Sequence, residues 1–124
     1  MKNPDYYRTV MPYLVLKDVT AFLKFTKEVF GAKVKQKHTD DAGRIRHLEI
    51  MIGDSTIMAG ESNEKWDPQP AGLYVKVDSA DETFQRALDA GSTAVMELSD
   101  QDYGRTGGVK DFNGNTWWIT SAEV

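Results

Sequence analysis

Apolar residues recur along this chain with two periods. A period near 3.6 places Val19, Phe22, Leu23, Thr26, Val29 and Phe30 on one face of a helix that Asp18 can cap and Gly31 ends. The same period returns at Ala80, Phe84, Ala87 and Leu88, behind the capping box Ser79-Ala80-Asp81-Glu82 and before Gly91. A period of two predicts strands at 11–16, 33–39, 44–52 and 55–59, and again at 72–77, 93–98, 107–111 and 115–121. Asp40-Asp41-Ala42-Gly43 reads as a hairpin, and Gly53-Asp54 and Asn113-Gly114 as tight turns.

These elements form two copies of one pattern, strand, helix, then three strands. Tyr13 and Tyr74, Asp18 and Ser79, and Gly53 and Gly114 all stand 61 residues apart. The chain therefore divides into units 8–60 and 71–124, joined by a polar linker at 61–70 that Pro68 and Pro70 break. Each helix needs a sheet face to cover it, and strand alternation says which residues supply that face. Leu14, Leu16, Leu48, Ile50, Ile52, Leu73 and Val75 suit the helix side. The opposite side should carry Met11, Tyr13, Ile45, His47, Glu49 and Met51 from the first unit, and Gly72, Tyr74, Lys76, Gly108, Lys110 and Trp118 from the second. That is an unusually aromatic face for solvent.

Composition narrows the function. The chain has 124 residues, 15 Lys and Arg against 19 Asp and Glu, and a net charge of −4. The acidic balance argues against nucleic acid, whose phosphates call for a basic stripe. No cysteine is present, which excludes a disulfide framework, a thiolate metal site and a thiol nucleophile, and fits a cytoplasmic protein. No secretory signal follows the N-terminal charges, and the longest apolar run, 11–16, is far short of the roughly 20 residues that cross a membrane.

Three stretches carry a family resemblance: Phe30-Gly31-Ala32 after the first helix, His47-Leu48-Glu49-Ile50-Met51-Ile52-Gly53-Asp54-Ser55 at the third strand, and Tyr103-Gly104-Arg105-Thr106-Gly107-Gly108-Val109-Lys110-Asp111-Phe112-Asn113-Gly114-Asn115-Thr116-Trp117-Trp118-Ile119 near the end. With the repeat, they make the chain resemble the vicinal oxygen chelate superfamily, of glyoxalase, bleomycin resistance and dioxygenase proteins, over nearly its whole length, and its PhnB-like branch in particular. The resemblance implies an α+β fold of two βαβββ units, with a curved mixed sheet enclosing a cavity. It also implies a homodimer, as many relatives pair or exchange units.

Enzymes of that superfamily hold one divalent metal with His and Glu. Carried onto this chain, the four positions fall at Met11, at Met58 or Ile57, at Gly72 and at Trp118. None is a ligand for a hard metal, so no resident metal or other cofactor is expected. His47 and Glu49, two apart on one strand, and His38 on the neighbouring strand are the only alternative grouping. In the expected hairpin register His38 falls opposite Ile45, away from His47.

Two functions follow. In the first, the protein binds a small molecule between its halves, with Tyr13, Met51, Tyr74, Trp118 and Trp66 supplying apolar surface and Lys76, Lys110 and Arg105 orienting charged groups. The acidic balance suits a cationic ligand, and the three basic residues suit an anionic or zwitterionic one. In the second, His47 is a general base oriented by Glu49, with or without a divalent metal, in a lyase, isomerase or dioxygenase-like reaction. Lys110 or Arg105 would then stabilise an oxyanion. Against both stands a plainer reading: His47 and Glu49 pair on a half-buried sheet, Trp117 belongs to the core, 103–106 is a loop, and Arg105 bridges to an acidic neighbour. Gly107-Gly108 opens no helix and is not a phosphate loop.

Overall fold

The computed structural model describes residues 3–122. The first unit runs β1 (Tyr13–Leu16), α1 (Val19–Phe30), β2 (Lys33–Thr39), β3 (Ile45–Ile52) and β4 (Ser55–Glu61). The second runs β5 (Gly72–Lys76), α2 (Ala80–Asp89), β6 (Thr93–Gln101), β7 (Gly104–Lys110) and β8 (Thr116–Ser121). The eight strands form two four-stranded mixed sheets of matching order, β1-β4-β3-β2 and β5-β8-β7-β6. In each, the first strand of the unit runs parallel to the last, and the other neighbours are antiparallel. This is the α+β fold of two βαβββ units.

The helix ends are set by the residues that the pattern singled out. Asp18 accepts a hydrogen bond from the Ala21 N–H at 2.9 Å, and Gly31 closes α1 in the left-handed region at φ 67°. Ser79 accepts from the Glu82 N–H at 3.2 Å to start α2. Leu14, Leu16, Leu48 and Ile50 are buried under α1, and Val109, Trp117 and Ile119 join the same core from the second sheet.

The units are joined through this helix-side layer. The Trp117 ring lies 4.7 Å from Phe30, 6.1 Å from Phe25 and 6.3 Å from Phe22, all on α1. This cross-unit packing explains the burial of Phe25, which the helical stripe omitted. Arg86 on α2 donates to the Val29 carbonyl through Nε and Nη2 at 3.2 and 2.9 Å. The turn between β7 and β8 completes the joint. Buried Asp111 accepts from the Asn113 and Asn115 N–H groups, the Asn115 side-chain amide and Trp117 Nε1, all within 3.0 Å. So held, Asn113 exchanges two hydrogen bonds with the Asp18 backbone, and Asn115 accepts from the Ala71 N–H.

Three local expectations are corrected. Ile45 belongs to the core, 5% exposed, and does not share a face with His47. The register between β2 and β3 shifts there, since Thr39 pairs with Ile45 but His38 with His47. Arg46 is thus an extra residue on β3, and such a bulge reverses the faces on either side of it. For the same reason His38 lies opposite His47 rather than Ile45. Finally, β7 begins at Gly104, three residues before the expected start, and β6 continues to Gln101. Gly104 has φ 136° and packs so closely on the Ser121 carbonyl that no side chain fits.

Removing the Asp111 carboxylate leaves four N–H donors without their acceptor beneath the joint. Asp111→Ala is expected to cost at least about 3 kcal/mol in urea unfolding, since stranded buried polar groups cost roughly 1–3 kcal/mol each and not additively. A loss below 1 kcal/mol would show that the turn does not hold the units together.

Candidate functional site

The face of the first sheet turned away from α1 is organised around one buried carboxylate. Glu49 on β3 is 3% exposed, and a charge so placed needs donors. It has three. Tyr6 Oη donates to Oε1 at 2.6 Å, Tyr7 Oη donates to Oε2 at 2.9 Å, and His47 Nε2 lies 2.8 Å from Oε2. Tyr6 and Tyr7 belong to the segment before β1, which crosses this face and is pinned by the Thr56 hydroxyl donating to the Tyr6 carbonyl and by Arg8 Nε donating to the Asp54 carbonyl at 3.0 Å. Beyond His47, Nδ1 is 3.2 Å from Tyr13 Oη, and the His38 ring centre is 5.7 Å away.

These contacts set the titration of the cluster. Burial pushes the Glu49 carboxyl up, but the hydrogen bonds from His47, Tyr6 and Tyr7 outweigh it and hold the group below the ordinary carboxylate range. Tyr6 is pushed from its ordinary 10.0 up to about 12, first by burial and then by its hydrogen bond to Glu49 and the negative charge there. Tyr7 moves in the same direction, chiefly through its hydrogen bond to Glu49.

The matching face of the second sheet carries an aromatic patch set among threonines and lysines. Tyr74 and Trp118 are paired neighbours on β5 and β8, and Trp118 lies opposite Gly108 on β7. A β-carbon at Gly108 would lie 2.6 Å from the Trp118 ring and 3.1 Å from Val95, and one at Gly72 4.0 Å from the indole nitrogen. Gly108 therefore lets the indole lie along the sheet, whereas at Gly72 a β-carbon would make only an ordinary contact. Tyr74 is 62% exposed and Val95 47% exposed, so the platform they form with Trp118 is open.

His47, Glu49 and Tyr13 are thus brought together, with Met51 along the same strand as Glu49, while Tyr74 and Trp118 gather on the second face and Lys76 and Lys110 stand exposed at its margin. Arg105 is not among them. It projects to the helix side, where it donates to Asp81 of α2 at 2.6 Å and Asp100 of β6 at 2.8 Å. Tyr6, Tyr7 and Val95 were missed. An unexplained pair of adjacent tyrosines ahead of the first strand was the available signal for the first two.

A cavity of about 1380 Å³ opens between α1, α2, the β3–β4 turn and β5, and its wall includes Tyr74 and Lys76 as well as Lys27, Glu82 and Arg86. As for a metal, Met11, Met58, Gly72 and Trp118 occupy the positions where the resemblance places ligands, and they offer only thioether sulfur, no side chain and an indole. Among the described residues no three of His, Cys, Asp and Glu come together, and Glu49 already accepts hydrogen bonds on both oxygens. These residues do not fit the divalent metal of the superfamily's enzymes.

The model of the Glyoxalase/Bleomycin resistance protein/Dioxygenase superfamily matches residues 8–119. An uncharacterized protein of Mycobacterium bovis is 30% identical over 118 residues, which cover 86% of this chain and 78% of that protein. Among solved structures, TioX from Micromonospora sp. ML1 superposes with a TM-score of 0.74 at 25% identity, covering 94% of this chain and 98% of that one. TnmS3, an antibiotic binding protein from Streptomyces sp. CB03234, superposes with a TM-score of 0.71 at 16% identity, covering 94% and 99%.

The Glu49 cluster gives a pH dependence of definite sign. A carboxyl whose folded value lies below its unfolded one stabilises fully above the unfolded value, and that stabilisation is lost as pH falls through the folded value. Tyr6 is the reverse, stabilising fully below 10.0 and losing that contribution as pH rises through about 12. The urea midpoint of the native protein should therefore exceed that of Glu49→Gln most at pH 7 and converge on it toward pH 3. A gap that stays constant over this range would contradict the cluster.

Proposed function

Because the chain belongs to the Glyoxalase/Bleomycin resistance protein/Dioxygenase superfamily yet lacks side chains fit for its metal, we propose that it is a small-molecule binding protein that works without a metal. Its ligand is a planar aromatic compound stacked on Trp118. The observation that carries this reading is the platform itself: an indole laid flat over Gly108, flanked by exposed Tyr74 and Val95, with no other ring of the chain stacked on it among the described residues. Aromatic surfaces of this kind favour offset stacking and combine a large apolar area with little side-chain freedom. The description of TnmS3 as an antibiotic binding protein supports the same class of role.

The partner is a second copy of the chain, in the cytoplasm. Contacts between units run through the helix side, and both open faces carry exposed aromatics, so a cleft walled by both faces calls for the first face of one copy to oppose the second face of another. A catalytic reading is favoured by one observation, the 2.8 Å contact between His47 and Glu49, which would orient an imidazole base. It is the weaker reading because the metal that polarises the carbonyl in the superfamily's enzymes has no fitting ligands here.

Acridine, a planar probe, should quench tryptophan emission saturably, and Trp118→Ala should weaken its binding about tenfold, as loss of one stacking surface costs roughly 1–3 kcal/mol. Sedimentation at the same concentrations should report a dimer. Quenching that survives Trp118→Ala unchanged, from Trp66 or Trp117, would sink the proposal.

A further inference from the structure

The hydrogen bonds around Glu49 have a direction, and it can be followed outward to the surface. An ionised carboxylate only accepts. Glu49 accepts from Tyr6 and Tyr7, so the proton between Glu49 and His47 sits on Nε2. A neutral imidazole protonated at Nε2 has a lone pair at Nδ1. Tyr13 Oη, 3.2 Å from that nitrogen, must then be the donor. With its one proton committed to His47, Oη has only lone pairs left to offer, on a residue 53% exposed.

The backbone is shaped for this contact. Gly60 pairs with His47 across β4 and β3, and a β-carbon there would lie 2.7 Å from Tyr13 Oη and 3.3 Å from its ring. The absent side chain is what lets the Tyr13 ring reach across to the imidazole.

We propose that Tyr13 is a ligand-reading residue, and that it selects a hydrogen-bond donor, an N–H, O–H or protonated amine carried by the aromatic ligand. This rests on the reading of the protein as a binder of planar aromatics. Glu49, His47, Tyr6 and Tyr7 are positioning residues that fix the polarity of the Tyr13 hydroxyl. Protonating His47 would turn Nδ1 into a donor and so free the Tyr13 proton for a ligand acceptor. The groups facing that imidazole are Glu49 on its own strand, Tyr13 on β1, His38 on β2, and Tyr7, which shares Glu49 Oε2 with it.

Two measurements test the proposal. Long-range proton–nitrogen correlation spectra near pH 7.5 should show His47 protonated at Nε2 and bare at Nδ1; the other tautomer would overturn it. Calorimetry with 9-(aminomethyl)acridine and acridine-9-carboxylate should show the amine binding at least tenfold tighter. Tyr13→Phe and Gly60→Ala should abolish that preference, whereas Trp118→Ala should weaken both probes alike. If both probes bind and the preference survives Tyr13→Phe, Tyr13 does not read the ligand although the aromatic platform stands. If neither probe binds, the platform fails and the proposal with it.

Discussion

A negative charge set into a sheet face cannot be left without donors, and the Glu49 carboxylate is such a charge. Desolvating it unpaired would cost several kcal/mol, far more than one surface contact returns. Three donors converge on it from two directions: His47 from its own strand, and Tyr6 and Tyr7 from the segment ahead of β1. That one requirement orders residues which otherwise have no periodic reason to be ordered. It also fixes the His47 proton, and through it the orientation of the Tyr13 hydroxyl.

The two faces divide the work. The first is polar, hydrogen-bonded and directional; the second carries an aromatic patch whose indole lies over the backbone that Gly108 leaves clear. Neither closes a site alone. The joint between units, made by Trp117 against α1 and by the Asp111 turn, lies on the helix side; opposite it, the segment ahead of β1 crosses the first face and the second face leaves Tyr74 and Val95 exposed. The superfamily's fold is therefore kept while the positions of its metal ligands carry side chains that do not fit the metal, an instance of function residing in the site rather than in the fold.

Much of this was legible in sequence. Gly31, Asp18 and Ser79 mark helix ends by chemistry that is local, and the 61-residue spacing of Tyr13 with Tyr74 reveals the repeat. His47 and Glu49 were identified as a pair because alternation alone puts residues two apart on one face. What escaped was set by distant contacts. The extra residue at Arg46 moves Ile45 into the core and His38 opposite His47, and nothing in the hydrophobic pattern marks it. Tyr6 and Tyr7 precede any periodic segment, and their role depends on a carboxylate more than forty residues away. Arg105 reads in sequence as a cation able to orient a charged group, but β7 reaches back to Gly104 and strand parity turns Arg105 toward Asp81.

The central claim is that this chain holds its ligand with aromatic and hydrogen-bonding side chains and no metal. The most direct test is to measure the divalent metal content of protein purified without chelator, and then the affinity for acridine before and after treatment with EDTA. The account predicts far less than one metal per chain and an affinity that chelation leaves unchanged. One equivalent of metal, with binding lost on its removal and restored on its return, would contradict it.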